Sequence, residues 1–243
     1  MVRFFYVIIL NLYRLYMIPY IKFRAKHPEW FKEESQYRYA QYMIRLMKKT
    51  GHIHTKAYGQ ENLPQEGGYI MYPNHQGKYD ALGIMYAHDK PCCMVMDEKR
   101  SRMPLVSSFL NLVGGKRLDM DDNRQALRLF HEIADELISL SRRFIIFPEG
   151  GYENNKNEVY EFKPGAFKAA VMAKVPVVPV ALVDSYKVFQ GISLRRVNTQ
   201  VHFLRPLYYE EYKEMTTKQI SEWVRRSIQD KIAEVLGTDG KNA

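Results

Sequence analysis

Between residue 69 and residue 236 short apolar runs alternate with helical patterns, and this alternation constrains the fold more than any other feature. Strand-like runs fall at 69–72, 92–96, 143–147, 177–182 and 199–204. Helical periodicity falls between and after them, at 81–88, 104–112, 123–140, 165–173 and 217–236. A chain built this way is predicted to be α/β, with a mixed central sheet flanked by helices. The run at 177–182 follows Pro176 and carries Pro179 inside it, which predicts an edge or bent strand rather than a central one.

The first strand runs into Asn74-His75-Gln76-Gly77-Lys78-Tyr79-Asp80, where the next helix begins. That places His75 at the carboxyl edge of the sheet, where open α/β sheets bind their ligands. On one ideal helix a five-residue offset separates two side chains by about 140°, so His75 and Asp80 can meet only through a turn. Gly77 is expected to supply its freedom. An Asp that accepts from one ring nitrogen fixes the tautomer and leaves the other nitrogen as a base. The bland alternative makes His75 a helix cap and pairs Asp80 with Lys78 or a nearby Arg.

A second strand end repeats the design. Phe147-Pro148-Glu149-Gly150-Gly151 follows the apolar run at 143–147, so a carboxylate and backbone N–H groups of a glycine turn are expected to face a ligand. Its bland alternative is a tight turn with an exposed Glu. No Gly-x-Ser-x-Gly elbow occurs, which speaks against a serine acyl-enzyme. Gly115-Lys116 is followed by Arg117, not Ser or Thr, so there is no phosphate-binding Walker loop. His52 and His54 lack a third ligand, and no metal site is expected.

Charge is unevenly placed. Residues 1–56 hold eleven Lys/Arg against three Asp/Glu, and the remaining residues twenty-five against twenty-four, so nearly all of the net +9 lies in the first quarter. Beside it, residues 4–21 are apolar but interrupted by Asn11 and Arg14 and, on this reading, ended by Pro19. At about 100° per residue Arg3, Asn11 and Arg14 share one sector, opposite most of the apolar side chains. A spanning helix needs about 20 apolar residues. An amphipathic helix lying in the membrane interface fits better, with tyrosines at headgroup depth and Lys22, Arg24 and Lys26 facing anionic lipid. No cleavage site for a signal peptide follows it, and no base-reading motif accompanies the basic residues, so nucleic acid is not an expected partner. Another amphipathic helix is expected at 33–49. The predicted division is a membrane-docking segment, 1–56, and a catalytic domain, 57–243. Two adjacent cysteines, Cys92 and Cys93, form no disulfide framework and fit a reduced cytosolic setting.

In order and spacing, His75-x4-Asp80, Val113–Met120, Phe147-Pro148-Glu149-Gly150 and Val175–Val180 resemble the four blocks of the lysophospholipid acyltransferases, the 1-acyl-glycerol-3-phosphate acyltransferases and their glycerophosphate relatives. The resemblance implies acyl transfer from an acyl-CoA or acyl carrier protein thioester to a lysophospholipid hydroxyl, with no cofactor. It implies His75 as base and Asp80 as its orienting partner, with Glu149, Gly150 and Pro179 in the substrate site. It also implies membrane phospholipids as partners and a peripheral or monotopic place on the cytoplasmic side of the cell membrane. Three departures stand out. Gly77 replaces a common Ser, and Met120 and Tyr152 stand where the family carries phosphate-binding arginines. Arg117 is the expected substitute for the phosphate, with Lys163 second and Lys116 on the opposite strand face. Other outcomes compatible with the same fold are acylation of a lyso-lipid without a phosphomonoester, thioester hydrolysis, and lipid binding with little turnover.

Overall fold

The computed structural model describes residues 2–190 and 194–239, and its core is a seven-stranded sheet in the order β1-β7-β6-β2-β5-β3-β4. The strands are β1 (Ile53–Tyr58), β2 (Tyr69–Pro73), β3 (Cys93–Asp97), β4 (Lys116–Leu118), β5 (Arg143–Ile145), β6 (Val177–Val183) and β7 (Val197–Phe203). All neighbouring pairs are parallel except β6 and β7. Every residue of β2 and β6 is buried, as expected of central strands covered on both faces. The five apolar runs are all strands. The two edge strands, β1 and β4, are absent from them: β1, Ile-His-Thr-Lys-Ala-Tyr, buries only Ile53 and Thr55 fully, and all three residues of β4 are half-buried.

β6 is a central strand, contrary to the expectation drawn from its prolines. Pro179 pairs with Tyr72 of β2, while its carbonyl accepts from the Leu204 N–H at 3.0 Å. The antiparallel ladder to β7 begins one residue later, at Val180↔Phe203, and its register slips by one residue before the Val177↔Leu207 bridge. The proline therefore occupies a bulge, where a missing N–H breaks no ladder bond.

Ten helices cover the sheet among the described residues: α1 (Val2–Leu10), α2 (Met17–Lys26), α3 (Glu33–Thr50), α4 (Asp80–Ala87), α5 (Glu98–Ser101), α6 (Pro104–Leu112), α7 (Asn123–Ser139), α8 (Lys168–Ala173), α9 (Tyr209–Tyr212) and α10 (Thr217–Asp239). The apolar N-terminal stretch is two helices rather than one. α1 stops at Leu10, and α1 and α2 are bent by 53° at their junction. Pro19 opens α2 instead of ending a helix, because the N–H it lacks would have no intrahelical partner in a first turn. No single helix among the described residues is long and apolar enough to cross a membrane.

The polar sector of α1 faces the protein. Arg3 is buried and donates to the Arg195 carbonyl at 2.6 Å, and Asn11 donates to Thr50 Oγ1 at 3.0 Å. The apolar side chains Phe5, Ile9, Leu12, Tyr13, Leu15 and Tyr16 are exposed. Arg24 departs from its expected place facing lipid. It is buried, 4.2 Å over the Phe31 ring, and donates to Ser35 Oγ at 2.8 Å, whereas Lys22 and Lys26 are exposed. Met17 and Ile21 of α2 and Tyr37, Ala40 and Ile44 of α3 belong to the same buried cluster as the sheet. The expected boundary at residue 56 falls inside β1.

Candidate active site

Three adjacent strands, β6, β2 and β5, deliver their carboxyl ends to one edge of the sheet. β2 leads to His75, β5 to Glu149 and β6 to Ser185, so residues far apart in sequence meet because their strands pair in parallel. The Asn74 side chain ties the edge together: it accepts from the Leu182 N–H at 2.8 Å and donates to the Leu182 carbonyl at 3.1 Å. It thereby extends the β2–β6 contact past the last strand residue.

His75 and Asp80 meet through the turn. Nδ1 of His75 lies 2.8 Å from Asp80 Oδ2, and the same oxygen accepts from the backbone N–H of Gln76 at 2.5 Å and of Gly77 at 2.8 Å. Ser185 Oγ donates to the other oxygen, Oδ1. Asp80 is buried and opens α4, where its charge also meets the positive end of the helix. With Nδ1–H directed at the carboxylate, the lone pair of His75 lies on Nε2. The ring plane is fixed by Phe147, stacked at 4.1 Å between centroids, and by Tyr152, edge-on at 4.5 Å.

Gly77 has a different role from the one expected. Its backbone is not left-handed, and an added Cβ would come no closer than 3.8 Å, to Tyr186 Cα. The turn is closed by Asp80 drawing in two peptide N–H groups, not by glycine freedom. Gly150 does need to be glycine: φ is +75°, and a Cβ would meet Lys163 Nζ at 2.6 Å.

Glu149 turns inward rather than toward open space. Its Oε1 accepts from the His75 N–H at 2.9 Å, and its Oε2 from Asn155 Nδ2 at 3.4 Å. Asn155 also donates to the His75 carbonyl at 2.8 Å, so both peptide groups of His75 are held from the β5 loop. Burial raises the Glu149 carboxyl to about 7, against the pull of its backbone donors.

The expected cations divide. Lys163 Nζ and Met120 Cε both crowd Gly150. Arg117 does not reach this loop: its guanidinium donates to Ser107 Oγ at 3.1 Å and Asn111 Oδ1 at 2.7 Å on α6. Strand alternation sends Lys116 the other way, to Glu132 and Glu136 of α7, the latter at 2.6 Å. Pro179 lies within β6, buried between its neighbouring strands. Arg100, not singled out in the sequence, lies 5.5 Å over the Tyr152 ring.

Ser185, Asn155, Asn74 and Gln76 are the contributors that sequence reasoning missed. Gln76 donates to the Leu182 carbonyl at 2.8 Å and to Asn157 Oδ1 at 3.0 Å. Asn157 in turn accepts from the Asp184 N–H at 2.9 Å, stabilising the left-handed Asp184 that turns the chain into Ser185. The only available signal was position: Ser185 comes two residues after the last apolar strand at the site.

A family model described as Acyltransferase matches residues 54–183, more than half of the chain. The 1-acyl-sn-glycerol-3-phosphate acyltransferase alpha of Ovis aries is 30% identical over 194 residues, covering 78% of this chain and 66% of that protein. The chain thus spans just under two thirds of the length of that relative. The 1-acyl-sn-glycerol-3-phosphate acyltransferase of Salmonella typhimurium is 25% identical over 172 residues, covering 70% of this chain and 69% of that protein. The crystal structure of the 1-acyl-sn-glycerophosphate acyltransferase PlsC from Thermotoga maritima superposes with a TM-score of 0.77 at 18% identity, over 96% of this chain and 94% of that one. The matched span begins in β1 and ends with β6, taking in every strand end that meets at His75: this chain belongs to the acyltransferase family.

Proposed function

We propose that this protein transfers a fatty acyl group from an acyl thioester to the hydroxyl of a lysophospholipid, with 1-acyl-glycerol-3-phosphate as acceptor, at a membrane surface. The contact between His75 Nδ1 and Asp80 Oδ2 carries the reading. Nε2 takes the proton of the acceptor hydroxyl as its oxygen attacks the thioester carbonyl. A tetrahedral intermediate forms and collapses, and the proton passes from the imidazolium to the leaving thiolate. Asp80, fixed by four donors, stabilises the imidazolium without taking the proton. A general base contributes about 10²–10⁴-fold, so positioning of the two substrates must supply much of the remainder.

The relatives' names support 1-acyl-glycerol-3-phosphate as the acceptor. Lys163 beside Gly150 and Arg100 beside Tyr152 are the cations that flank the loop and would meet its phosphate. The exposed apolar face of α1, with Lys22 and Lys26 on α2, supports peripheral docking on a membrane that carries anionic lipid. Met120 and Tyr152 at the mouth favour a second reading, in which a neutral or zwitterionic lyso-lipid is the acceptor. Purified protein given labelled acyl-CoA or acyl carrier protein and a mixed lyso-lipid panel tests both. Label in phosphatidate supports the first reading and label in another lipid alone supports the second. Free fatty acid alone means hydrolysis, and no reaction removes both.

A further inference from the structure

Where α2 packs against α6, a hollow of about 460 Å³ opens between Lys22 and Lys26 on one side and Arg102, Ser107 and Asn111 on the other. Arg117, which does not join the His75 loop, lies against the α6 side of this hollow: its guanidinium is held by Ser107 Oγ and Asn111 Oδ1, and both residues line it. Lys22, Lys26 and Arg102 thus line the hollow, Arg117 stands behind its α6 wall, and no carboxylate is among the residues lining it. Arg102 pairs with Glu98, but among the described residues Lys22, Lys26 and Arg117 meet no carboxylate.

A guanidinium fixed by two neutral oxygens keeps its full charge and is already oriented, the arrangement that suits a phosphate. Two lysines on one helix add mobile point charges at the rim. The surroundings say which phosphate. Phe23 next to Lys22, Met103 next to Arg102, and Leu105 at the start of α6 are all exposed. The segments that wall the hollow thus also carry exposed apolar side chains, which a free anion does not need and which a phospholipid, with acyl chains beyond its phosphate and glycerol, can use.

We infer that the α2–α6 hollow is a second lipid site, separate from the His75 loop, which binds the headgroup phosphate of an anionic phospholipid of the bilayer. Arg117 is its fixed contact and Lys22 and Lys26 its closing contacts. The site holds the protein on anionic membrane without taking part in the acyl transfer proposed above. It does not depend on which acceptor that reaction uses.

The full-length protein is titrated with soluble short-chain phosphatidylglycerol, with inorganic phosphate, and with phosphatidylcholine vesicles containing or lacking phosphatidylglycerol. The soluble lipid should bind saturably with one-to-one stoichiometry. Arg117→Ala should weaken that binding by about 20-fold, as expected for loss of a charge-assisted contact to phosphate. Lys22→Ala with Lys26→Ala, both exposed and harmless to the fold, gives an independent test and should weaken it comparably. Arg226→Ala on α10 removes the same charge elsewhere; it should leave the soluble lipid unaffected and weaken vesicle binding no more than about fivefold. Equal losses in Arg117→Ala and Arg226→Ala would reduce the effect to general electrostatics and overturn the site. Saturable binding of inorganic phosphate with no binding of the soluble lipid would overturn its assignment to lipid.

Discussion

The Ser185 hydroxyl donates to Oδ1 of Asp80, the oxygen that the His75 ring leaves free. The aspartate is therefore gripped from two strands, by its own turn after β2 and by the second residue after β6. Ser185→Ala removes one of four donors and frees the carboxylate to rotate away from Nδ1. The expected result is a fall in kcat of about tenfold with both KM values nearly unchanged, since a hydrogen bond to a charged group contributes about 1.5–3 kcal/mol. Ser185→Thr should restore much of the rate. An undiminished kcat in Ser185→Ala would mean that the backbone donors suffice.

His75→Ala should abolish transfer while circular dichroism and melting temperature stay close to wild type, because the ring is half-buried and packs at the edge of the sheet. Asp80→Asn keeps one acceptor oxygen for the two peptide N–H groups and turns its amide NH2 toward the Ser185 hydroxyl, which can rotate to accept, but it cannot stabilise an imidazolium. Its kcat should fall by about 10²–10⁴. Ready turnover by His75→Ala would remove the mechanism.

Glu149 gives a pH signature. Burial raises its carboxyl from 4.5 to about 7 in the folded protein, so the folded state holds this proton more tightly than the unfolded chain does. The group's stabilising contribution is full below pH 4.5 and is lost as pH rises through 7. Glu149→Gln keeps an acceptor for the His75 N–H and removes the titration. Relative to wild type the variant should gain stability progressively across that interval, by about 2–3 kcal/mol at its upper end. Buried His88 and His202, each lowered to about 4, act in the opposite sense. They are common to both proteins and cancel in the difference. Urea unfolding at a series of pH values checks this; a difference that does not change with pH would show that Glu149 stays ionised.

At the mouth of the site, Arg100→Ala should raise the acceptor KM about tenfold or more for 1-acyl-glycerol-3-phosphate and leave the donor KM unchanged. Monoacylglycerol, the same acceptor without its phosphate, should be insensitive to the substitution. Equal effects on the two acceptors would place Arg100 outside the phosphate contact. Lys163→Met provides the parallel experiment beside Gly150.

Membrane docking is best probed by substitution, not truncation. Removing residues 1–26 would strip Met17, Ile21 and Arg24 from the interior and confuse unfolding with release. Ile9 and Tyr13 are 63% and 68% exposed. Each Glu substitution there should cost about 1.5–3 kcal/mol of vesicle affinity through lost apolar burial, with the melting temperature unchanged. Undiminished co-sedimentation of Ile9→Glu/Tyr13→Glu with vesicles would exclude α1 as the docking face.

The sequence by itself determined the alternation of strands and helices, because side-chain periodicity is local and survives without tertiary context. It also determined which residue follows each strand, and so put His75 and Glu149 at strand ends. Strand order belongs to the tertiary structure. Nothing local says that β2 lies between β5 and β6, yet that order brings Glu149 onto the His75 N–H and Ser185 onto Asp80. Side-chain direction was decided there as well. Residues 117 and 163 look alike as nearby cations, but α6 claims Arg117 and Gly150 leaves room for Lys163. Pro179 was misjudged because a bulge belongs to two strands at once. Arg24 was misjudged because a cation enclosed by Tyr20, Phe31 and Tyr39 is not visible in a helical wheel. Periodicity records which residues share a face; only packing against the other elements decides what that face meets.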